Sequence, residues 1–463
     1  MAAEFYTISP VDGSVVATRE YATKKRIRSA IEVATTAQKL WAKMSISRRL
    51  EICERALELL LTQRGQITEE ITRQMGRPIC YAGGELNGVQ ERARYLMSVA
   101  EEQLANVDVS PKDGFARHIK REPLGVVFIM APWNYPYLTV VNSLFPAILS
   151  GNAVILKHSP QTPLCSERLV AAFTEAGIPA GVFQFLHVKD IDVSTVLSTP
   201  EIAMVCFTGS VRVGRLIEQH VAGHFKHTLL ELGGKDPAYV RRDAKLRYTI
   251  ENLVDGAFFN SGQSCCAIER IYVDETIAAE FIEDFVEQTT KLRLGHPLNL
   301  ETTLGPVVSL DAAERIRNQI NEALHAGAES CIDQRKFPLA EEGTPYLAPQ
   351  VLIRVSKAMS IMTEETFGPV VTIIPVSGDH EAIKLMNDSQ YGLTASLWTD
   401  DLDRAEALGE QLEAGTIFMN RCDYLDPELP WTGVKNSGKG FSLSRFSFQQ
   451  MTRPKSFHFK LLN

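Results

Sequence analysis

The sequence predicts an α/β protein with two domains in which strands alternate with helices. After Leu124, short runs rich in Val, Ile and Phe alternate with segments of helical periodicity, and Gly and Pro separate them. A second alternation of the same kind begins near Tyr248. The chain has 463 residues, 45% hydrophobic and 22% charged, which is typical of a globular protein of about three domain-sized units or of one composite enzyme, and not of a disordered chain.

The region before residue 105 predicts amphipathic helices that form a covering layer. Apolar residues spaced by three and four positions indicate helices over 27–41, 47–72 and 84–104.

Five strands and four connecting helices are predicted next. The strands are 124–132, 151–159, 181–188, 202–210 and 227–234. The helices are 143–150, 165–177, 192–199 and 212–221. Helices of this length can serve as crossovers, so the pattern favours a parallel sheet with helices on its faces, which is a nucleotide-binding architecture.

The second alternation predicts a further α/β domain. Its helices are predicted at 248–260, 278–294, 381–387 and 404–413, and its strands at 268–274, 370–376, 394–399 and 416–420. The segments 114–121 and 453–460 alternate in character and predict paired strands rather than basic docking patches.

Charge and cysteine usage narrow the function classes. Lys and Arg total 48 and Asp and Glu total 56, giving a net charge of −8 with no lysine-rich run, so we expect small-molecule chemistry and no nucleic-acid partner. The N-terminus lacks a signal-like pattern and no stretch of 18 apolar residues occurs, so no membrane association is expected. Eight cysteines without CxxC spacing favour free thiols and a cytoplasmic location.

Common catalytic signatures are absent from the sequence. The patterns GxxxxGK(S/T), HExxH, GxSxG and GxGxxG do not occur, which disfavours kinases, zinc proteases and serine hydrolases. The nearest phosphate-binding candidate is 207–214, which follows a predicted strand and opens a predicted helix. Its Gly209 could equally be the turn glycine of any βα unit.

Two segments carry candidate chemistry. Cys265 lies at the end of a Gly-containing turn, where a thiol can be an exposed nucleophile, although a buried thiol or a vicinal disulfide with Cys266 is also consistent with the sequence. Glu231 ends a predicted strand and precedes two glycines, which suits a general base, although a surface or ion-paired Glu is the commoner case.

Nine sequence blocks in order resemble the NAD(P)-dependent aldehyde dehydrogenase superfamily over essentially the whole chain. The blocks are APWNYP (131–136), LKHSPQTP (156–163), AGIPAGV (176–182), FTGSVRVG (207–214), LELGGKDP (230–237), FNSGQSCCA (259–267), EETFGPV (364–370), NDSQYGLTAS (387–396) and GVKNSGKG (433–440). The resemblance implies an aldehyde dehydrogenase-like fold with three parts: a Rossmann-type cofactor-binding domain (1–105 and 124–232), an α/β catalytic domain (233–428) and a small β oligomerisation segment (106–123 and 429–463).

The resemblance also implies roles for individual residues. Cys265 matches the catalytic thiolate, Asn134 matches the oxyanion-hole amide, and Glu231 matches the residue that activates water. Read without the family, Asn134 fits an Asx turn beside two prolines. Six further residues match the NAD or NADP site: Lys157 at the adenosine ribose, Trp133, Gly209 and Ser210 around the pyrophosphate, and Glu365 with Phe367 at the nicotinamide. Lys157 alone would more often be a surface lysine.

The implied reaction oxidises an aldehyde to a carboxylic acid through a thiohemiacetal and a thioester on cysteine. The implied partners are a small-molecule aldehyde and further copies of the chain, in a homodimer or homotetramer. A descendant that acts as an esterase, a reductase or a binder is the alternative, but such a protein has no reason to keep Cys265, Glu231 and Asn134 together.

Three departures from the family pattern bear on specificity. Pro160 stands where NAD-preferring members carry a Glu that repels a 2′-phosphate, so use of both NAD and NADP is expected. Asn142 stands where succinic semialdehyde dehydrogenases usually carry an Arg, so an uncharged aliphatic or aromatic aldehyde is favoured as the substrate. A semialdehyde is the alternative substrate, because an Arg from another loop could substitute for the missing one. Ser442 replaces an acidic residue, and the sequence assigns no consequence to this change.

No metal site is expected. His220, His224 and His227 would share one face of a continuous helix, which would suit a metal ion. Gly223 and the strand predicted from His227 indicate that the helix ends first, so surface histidines are favoured.

Overall fold

The computed structural model describes residues 3–462. The N-terminal part contains β1 (Glu4–Ile8), β2 (Val15–Glu20), α1 (Lys24–Trp41), α2 (Ile46–Thr62), α3 (Arg64–Met75), α4 (Ile79–Ala82) and α5 (Gly84–Leu104). The next part contains β3 (Val107–Asp108), β4 (Phe115–Pro123), β5 (Val126–Ala131), α6 (Leu138–Leu149), β6 (Ala153–His158), α7 (Pro163–Glu175), β7 (Phe183–Phe185), α8 (Asp190–Ser198), β8 (Ile202–Thr208), α9 (Val211–Val221) and β9 (His227–Glu231).

The remaining elements belong to the second half of the chain. They are β10 (Asp236–Val240), α10 (Leu246–Phe258), β11 (Ile268–Asp274), α11 (Ala278–Thr289), α12 (Leu310–His325), β12 (Glu329–Ser330), β13 (Gln350–Ile353), α13 (Ser360–Thr363), β14 (Val370–Val376), α14 (Asp379–Asn387), β15 (Tyr391–Gly392), β16 (Thr394–Trp398), α15 (Leu402–Gly409), β17 (Thr416–Met419), β18 (Trp431–Thr432), β19 (Val434–Lys435), β20 (Gly438–Lys439), β21 (Phe441–Ser442), α16 (Ser447–Gln450) and β22 (Thr452–Lys460).

A six-stranded sheet has the order β20-β9-β8-β5-β6-β7. All its pairings are parallel except the one between β9 and β20. Every residue of β5 and β6 is buried, as expected for strands covered by helices on both faces. The five strands, four helices and parallel arrangement predicted from the sequence are therefore confirmed.

A seven-stranded sheet has the order β12-β13-β14-β11-β10-β16-β17 and is parallel apart from the pairing of β12 with β13. Its strand β11 is buried along its whole length. The second α/β unit predicted from the sequence is thus present.

The paired strands predicted at the two remaining segments are also present. Strand β22 runs antiparallel to β4 over nine residue pairs, from Thr452 opposite Pro123 to Lys460 opposite Phe115. With β3 they form a three-stranded sheet in which β22 is an outer strand.

Several of the predicted helix bounds are wrong. The helix predicted over 143–150 begins earlier, at Leu138, and the helix predicted over 404–413 ends earlier, at Gly409. The helix predicted over 47–72 is divided at Gln63, which leaves helical geometry (φ −91°, ψ 11°). This break turns the chain so that the apolar stripes of both α2 and α3 are buried. The helix predicted over 278–294 ends at Thr289. The hairpin of β1 and β2 was not predicted, although its Asp12-Gly13 pair is a recognised turn signal.

Helix α9 ends at Val221, and Gly223 turns the chain at φ +80° before β9 begins at His227. The three histidines therefore do not share a helix face. Within residues 3–462, no group of three His, Cys, Asp or Glu side chains is arranged to hold a metal ion. None of the helices in this part of the chain has the length and apolar character to cross a bilayer.

Candidate active site

The carboxyl ends of four neighbouring strands gather most of the predicted site residues at one sheet edge. The strands β9, β8, β5 and β6 are adjacent in the sheet and parallel. The residues at or just beyond their ends are Glu231 after β9, Gly209 and Ser210 after β8, Trp133 and Asn134 after β5, and Lys157 in β6. The chain leaves β5 to one side for β6 and returns on the other side with β8, and such a reversal opens a crevice where nucleotides bind in α/β sheets.

A buried ion pair fixes the loop that carries Asn134. The Arg77 and Glu85 side chains are at most 1% exposed, and Nη1 of Arg77 lies 2.6 Å from Oε2 of Glu85. Arg77 also donates to the carbonyl oxygen of Asn134. Glu85 accepts hydrogen bonds from the backbone N–H groups of Tyr137 and Leu138, at 2.7 and 3.1 Å. Because each of the two charges has a partner, the pair can hold this loop without leaving a buried charge uncompensated.

The turn before Cys265 has a backbone that few residues can adopt. After α10 the chain forms a 3₁₀ turn over Phe259–Gly262, in which Gly262 has φ +68°. A side chain at Gly262 would overlap the carbonyl group of Gly368. Glycine therefore lets the turn pack directly on the segment that carries Glu365 and Phe367.

Asn134 lies against this turn. Its Nδ2 donates to the carbonyl oxygen of Gln263 at 3.2 Å, two residues before Cys265. Cys265 is partly exposed, whereas Cys266 is 2% exposed. The structure thus brings the predicted oxyanion donor next to the turn that carries the predicted nucleophile, and Cys265 is the more exposed of the two adjacent cysteines.

The two adjacent thiols have different surroundings. Both are free, so there is no vicinal disulfide. The thiol of Cys266 donates to Oδ1 of Asp423 at 2.9 Å, and Ser264 donates to the same oxygen at 3.1 Å. The hydrogen bond with Cys265, followed by burial, raises the pKa of Cys266 well above its usual range, so this thiol stays protonated. Burial also raises the pKa of Asp423 to about 6.

Glu231 is a buried carboxyl group with two hydroxyl partners. Thr208 donates to its Oε2 at 3.1 Å, and Ser442 donates to its Oε1. Burial raises the pKa of Glu231, while the hydrogen bonds from Ser442 and Thr208 act in the opposite direction. Ser442, to which the sequence assigned no consequence, is therefore a direct partner of the candidate base.

The two glycines after Glu231 allow three segments to meet. A side chain at Gly233 would overlap the carboxylate of Glu365, and one at Gly234 would overlap the carbonyl oxygen of Cys265. The N–H of Gly234 donates to Oε1 of Glu365 at 3.2 Å. At these two glycines the segment that follows Glu231 therefore contacts the backbone of Cys265 and the side chain of Glu365.

Glu365 and Phe367 are held on the other side of this site. The Phe367 ring lies edge-on to Trp133, with 5.6 Å between ring centroids. The carboxylate of Glu269 accepts hydrogen bonds from the N–H groups of Thr366 and Phe367. Burial, followed by the charge of Glu269, raises the pKa of Glu365 to about 8.

The remaining cofactor candidates lie further along the sheet edge. Ser210 caps α9, accepting the N–H of Val213 at 3.4 Å, and the N–H of Gly209 donates to the carbonyl oxygen of Glu231 at 3.0 Å. Nζ of Lys157 lies 3.3 Å from Oδ1 of Asp190, whose side chain is 93% exposed. The hydrogen bonds of Ser210 and Gly209 leave room for a ligand at the N-terminus of α9.

Two residues near the site, Arg92 and Asp423, were not predicted from the sequence, and Ser442 was noticed without a role. A signal for Arg92 was available, because Glu85 and Arg92 are spaced by seven and lie on the same buried stripe of α5 as Val89 and Leu96. Asp423 lies in a loop with no periodic pattern, and nothing local marked it.

Comparison with known proteins identifies the class. The model of the aldehyde dehydrogenase family matches residues 2–457, so the chain belongs to this family. It is 33% identical, over 96% of its length and 95% of the other chain, to a succinate semialdehyde dehydrogenase of Escherichia coli named for NAD(P)+. It is 34% identical to a betaine aldehyde dehydrogenase of Agrobacterium fabrum, over 94% and 88% of the two chains.

Solved structures give the same result for the fold. An aldehyde dehydrogenase from Bacillus cereus in complex with NAD+ superposes with a TM-score of 0.95, at 28% identity and over 99% of this chain and 94% of that one. An NAD-dependent aldehyde dehydrogenase from Sinorhizobium meliloti also gives a TM-score of 0.95, at 33% identity and over 99% and 92%. The predicted resemblance and fold class are confirmed.

Proposed function

We propose that the protein oxidises an aldehyde to a carboxylic acid with NAD or NADP, and that Cys265 is the nucleophile. The observation that carries this proposal is the contact of three segments at Gly233 and Gly234, which gathers Glu231, Cys265 and Glu365. The names of the relatives support the choice of cofactor, since one relative is named for NAD(P)+ and one solved structure holds NAD+.

The first half of the reaction forms a bond to sulfur. The thiolate of Cys265 attacks the aldehyde carbon, and the carbonyl oxygen takes up the negative charge. The amide of Asn134 and the backbone N–H of Cys265 stabilise this oxyanion, each by about 3 kcal/mol. A bound nicotinamide cofactor supplies the acceptor for the hydride that the thiohemiacetal loses.

The second half releases the acid. Glu231 takes a proton from a water molecule, which then attacks the thioester on Cys265. Burial raises the pKa of Glu231 and so makes it a better base near neutral pH than an exposed Glu. Cys266 takes no part, because its thiol stays protonated beside Asp423.

The residues at the sheet edge fit a dinucleotide. The N-terminus of α9, with Gly209 and Ser210, offers N–H groups and the positive end of the helix dipole to the pyrophosphate, next to Trp133. Lys157 would contact the adenosine ribose. Glu365 and Phe367 would contact the nicotinamide ribose and ring.

We further propose the domain division, the assembly and the location expected from the sequence. The cofactor-binding domain comprises 1–105 and 124–232, the catalytic domain 233–428, and the oligomerisation segments 106–123 and 429–463. The outer strand β22, exposed along most of its length, supports pairing with further copies in a homodimer or homotetramer. Eight free cysteines support a cytoplasmic location.

Comparing two cysteine variants tests the proposal. Purified protein is assayed by NAD(P)H absorbance against a panel of aldehydes, with NAD and with NADP. Cys265→Ala should abolish turnover, because no other thiol can form the thioester, while Cys266→Ala should keep most of it. Equal losses in the two variants would show that Cys265 has no special role, and absence of NAD(P)H formation by the unmodified protein would overturn the proposed function.

A further inference from the structure

A buried arginine without an anionic partner lies beside the candidate active site. Arg92, in α5, is 5% exposed. Its Nη1 donates to Oδ1 of Asn142 at 3.0 Å and to the carbonyl oxygen of Leu138 at 3.5 Å. Among residues 3–462 its guanidinium forms no ion pair within 4.0 Å. Burying a charge without a counterion lowers the stability of a fold, so an unpaired buried arginine next to a candidate active site indicates a functional role.

The carboxylates nearest to Arg92 are already engaged elsewhere. The carboxylates whose charges act on Arg92 are those of Glu231, Glu91 and Glu85. Glu85 pairs with Arg77, and Glu91 accepts a hydrogen bond from Tyr424. Glu231 accepts from its two hydroxyl partners. None of these groups neutralises the guanidinium directly.

Arg92 lies against the segment that follows Asn134. Its guanidinium donates to the carbonyl oxygen of Leu138, four residues after Asn134, and its charge also acts on Glu231. It also meets α6, the helix that follows Asn134 and carries Asn142. Arg92 therefore contacts the helix into which the Asn134 loop leads, next to the candidate active site.

The hydrogen bond between Arg92 and Asn142 leaves a set of donors for an anion. Because Oδ1 of Asn142 accepts from Arg92, Nδ2 of Asn142 remains to donate. Nε and Nη2 of Arg92 form no hydrogen bond within the described chain. A guanidinium edge next to an amide N–H group matches the two oxygens of a carboxylate.

We infer that Arg92, with the amide of Asn142, binds a carboxylate at the far end of the substrate. The substrate class is then an aldehyde that carries a terminal carboxylate, rather than an uncharged or a cationic aldehyde. This inference rests on the proposed function and favours the semialdehyde alternative over the uncharged aldehyde expected from Asn142 alone. The sequence places no charge at position 142, but the structure brings one there from another helix.

The test compares 4-oxobutanoate, pentanal and betaine aldehyde, which are anionic, neutral and cationic aldehydes. For the unmodified protein, kcat/KM should be highest for 4-oxobutanoate by about 100-fold, as expected for a buried charge pair. Arg92→Gln should remove most of this advantage, mainly through KM, because the contact is made equally in ground and transition states. Its kcat/KM for pentanal should change by less than about threefold.

Two further variants separate recognition from folding. Asn142→Asp keeps the shape of the side chain and supplies Arg92 with an internal partner, so it should lose the same preference while activity on pentanal remains. Arg94→Gln is the matched control, because Arg94 lies on the same helix but is exposed and pairs with Glu54 and Glu58. It should leave all three substrates unchanged.

The outcomes distinguish failure of the Arg92 assignment from failure of the proposed dehydrogenase activity. Oxidation of pentanal without a preference for 4-oxobutanoate would overturn the assignment of Arg92 and leave the dehydrogenase proposal intact. Equal losses on 4-oxobutanoate and pentanal in both Arg92→Gln and Asn142→Asp would show that the pair is only structural. If no aldehyde is oxidised, both proposals fail.

Discussion

The hydrogen bond from Ser442 to Glu231 gives a quantitative prediction for the pH dependence of thioester hydrolysis. Ser442 is 1% exposed and Glu231 is 8% exposed, so water replaces the lost hydroxyl poorly in Ser442→Ala. A hydrogen bond to a charged group contributes about 1.5 to 3 kcal/mol, and 1.36 kcal/mol corresponds to one pH unit. Removing a bond that stabilises the carboxylate makes Glu231 hold its proton to higher pH. The acidic limb of deacylation should therefore move upward by about one to two pH units.

The assay isolates the step in which Glu231 acts. The acyl-enzyme is formed in a single turnover, and its decay is followed by intact-protein mass after quenching at each pH. Well above the pKa of Glu231, the variant and the unmodified protein should hydrolyse the thioester at similar rates; below it, the variant should be slower. Thr208→Val should shift the limb in the same direction, and Ser447→Ala, which removes a buried hydroxyl that contacts Ser444 instead, should not. Superimposable acidic limbs for Ser442→Ala and the unmodified protein would refute the reasoning.

Two other variants test the base and the cofactor site. The Glu231→Gln variant should release about one equivalent of NAD(P)H per active site and then stall, because acylation precedes hydrolysis. Stopped-flow absorbance measures this burst. Sustained turnover at the normal rate would exclude Glu231 as the base. The unmodified protein should use NADP within about tenfold of NAD, since Pro160 carries no charge and Lys157 is paired with the exposed Asp190. Pro160→Glu should lower kcat/KM far more for NADP than for NAD. A thousandfold preference of the unmodified protein for NAD would place the discrimination elsewhere.

Much of the fold could be read from local patterns. The strands β5, β6 and β11 are continuous buried runs, and such runs stand out in a sequence. The break at Gln63 was missed because helical periodicity continues through it in the sequence, and only the packing of α2 and α3 against the core shows where the axis turns.

Some residues of the candidate site could likewise be predicted from the sequence, whereas their contacts could not. Cys265 and Glu231 were identifiable as candidates because each lies in a short segment with glycine residues, and the family resemblance supplied their roles and that of Asn134. The location of Arg92 on a buried helix stripe could also be predicted from the sequence, but its hydrogen bond with Asn142 could not.

The sequence by itself determined the class of fold, because strand and helix periods are properties of neighbouring residues. It also marked Cys265 and Glu231 through their glycine turns, while the family resemblance supplied their roles as candidate nucleophile and base. Only the tertiary structure decided which distant side chains surround them. Arg92 meets Asn142 across 50 positions, Cys266 meets Asp423 across 157, and Glu231 meets Ser442 across 211. Such contacts depend on how helices and strands pack, and a local pattern carries no record of that packing. They set the surroundings of Arg92, the protonation of the second thiol and the pKa of Glu231.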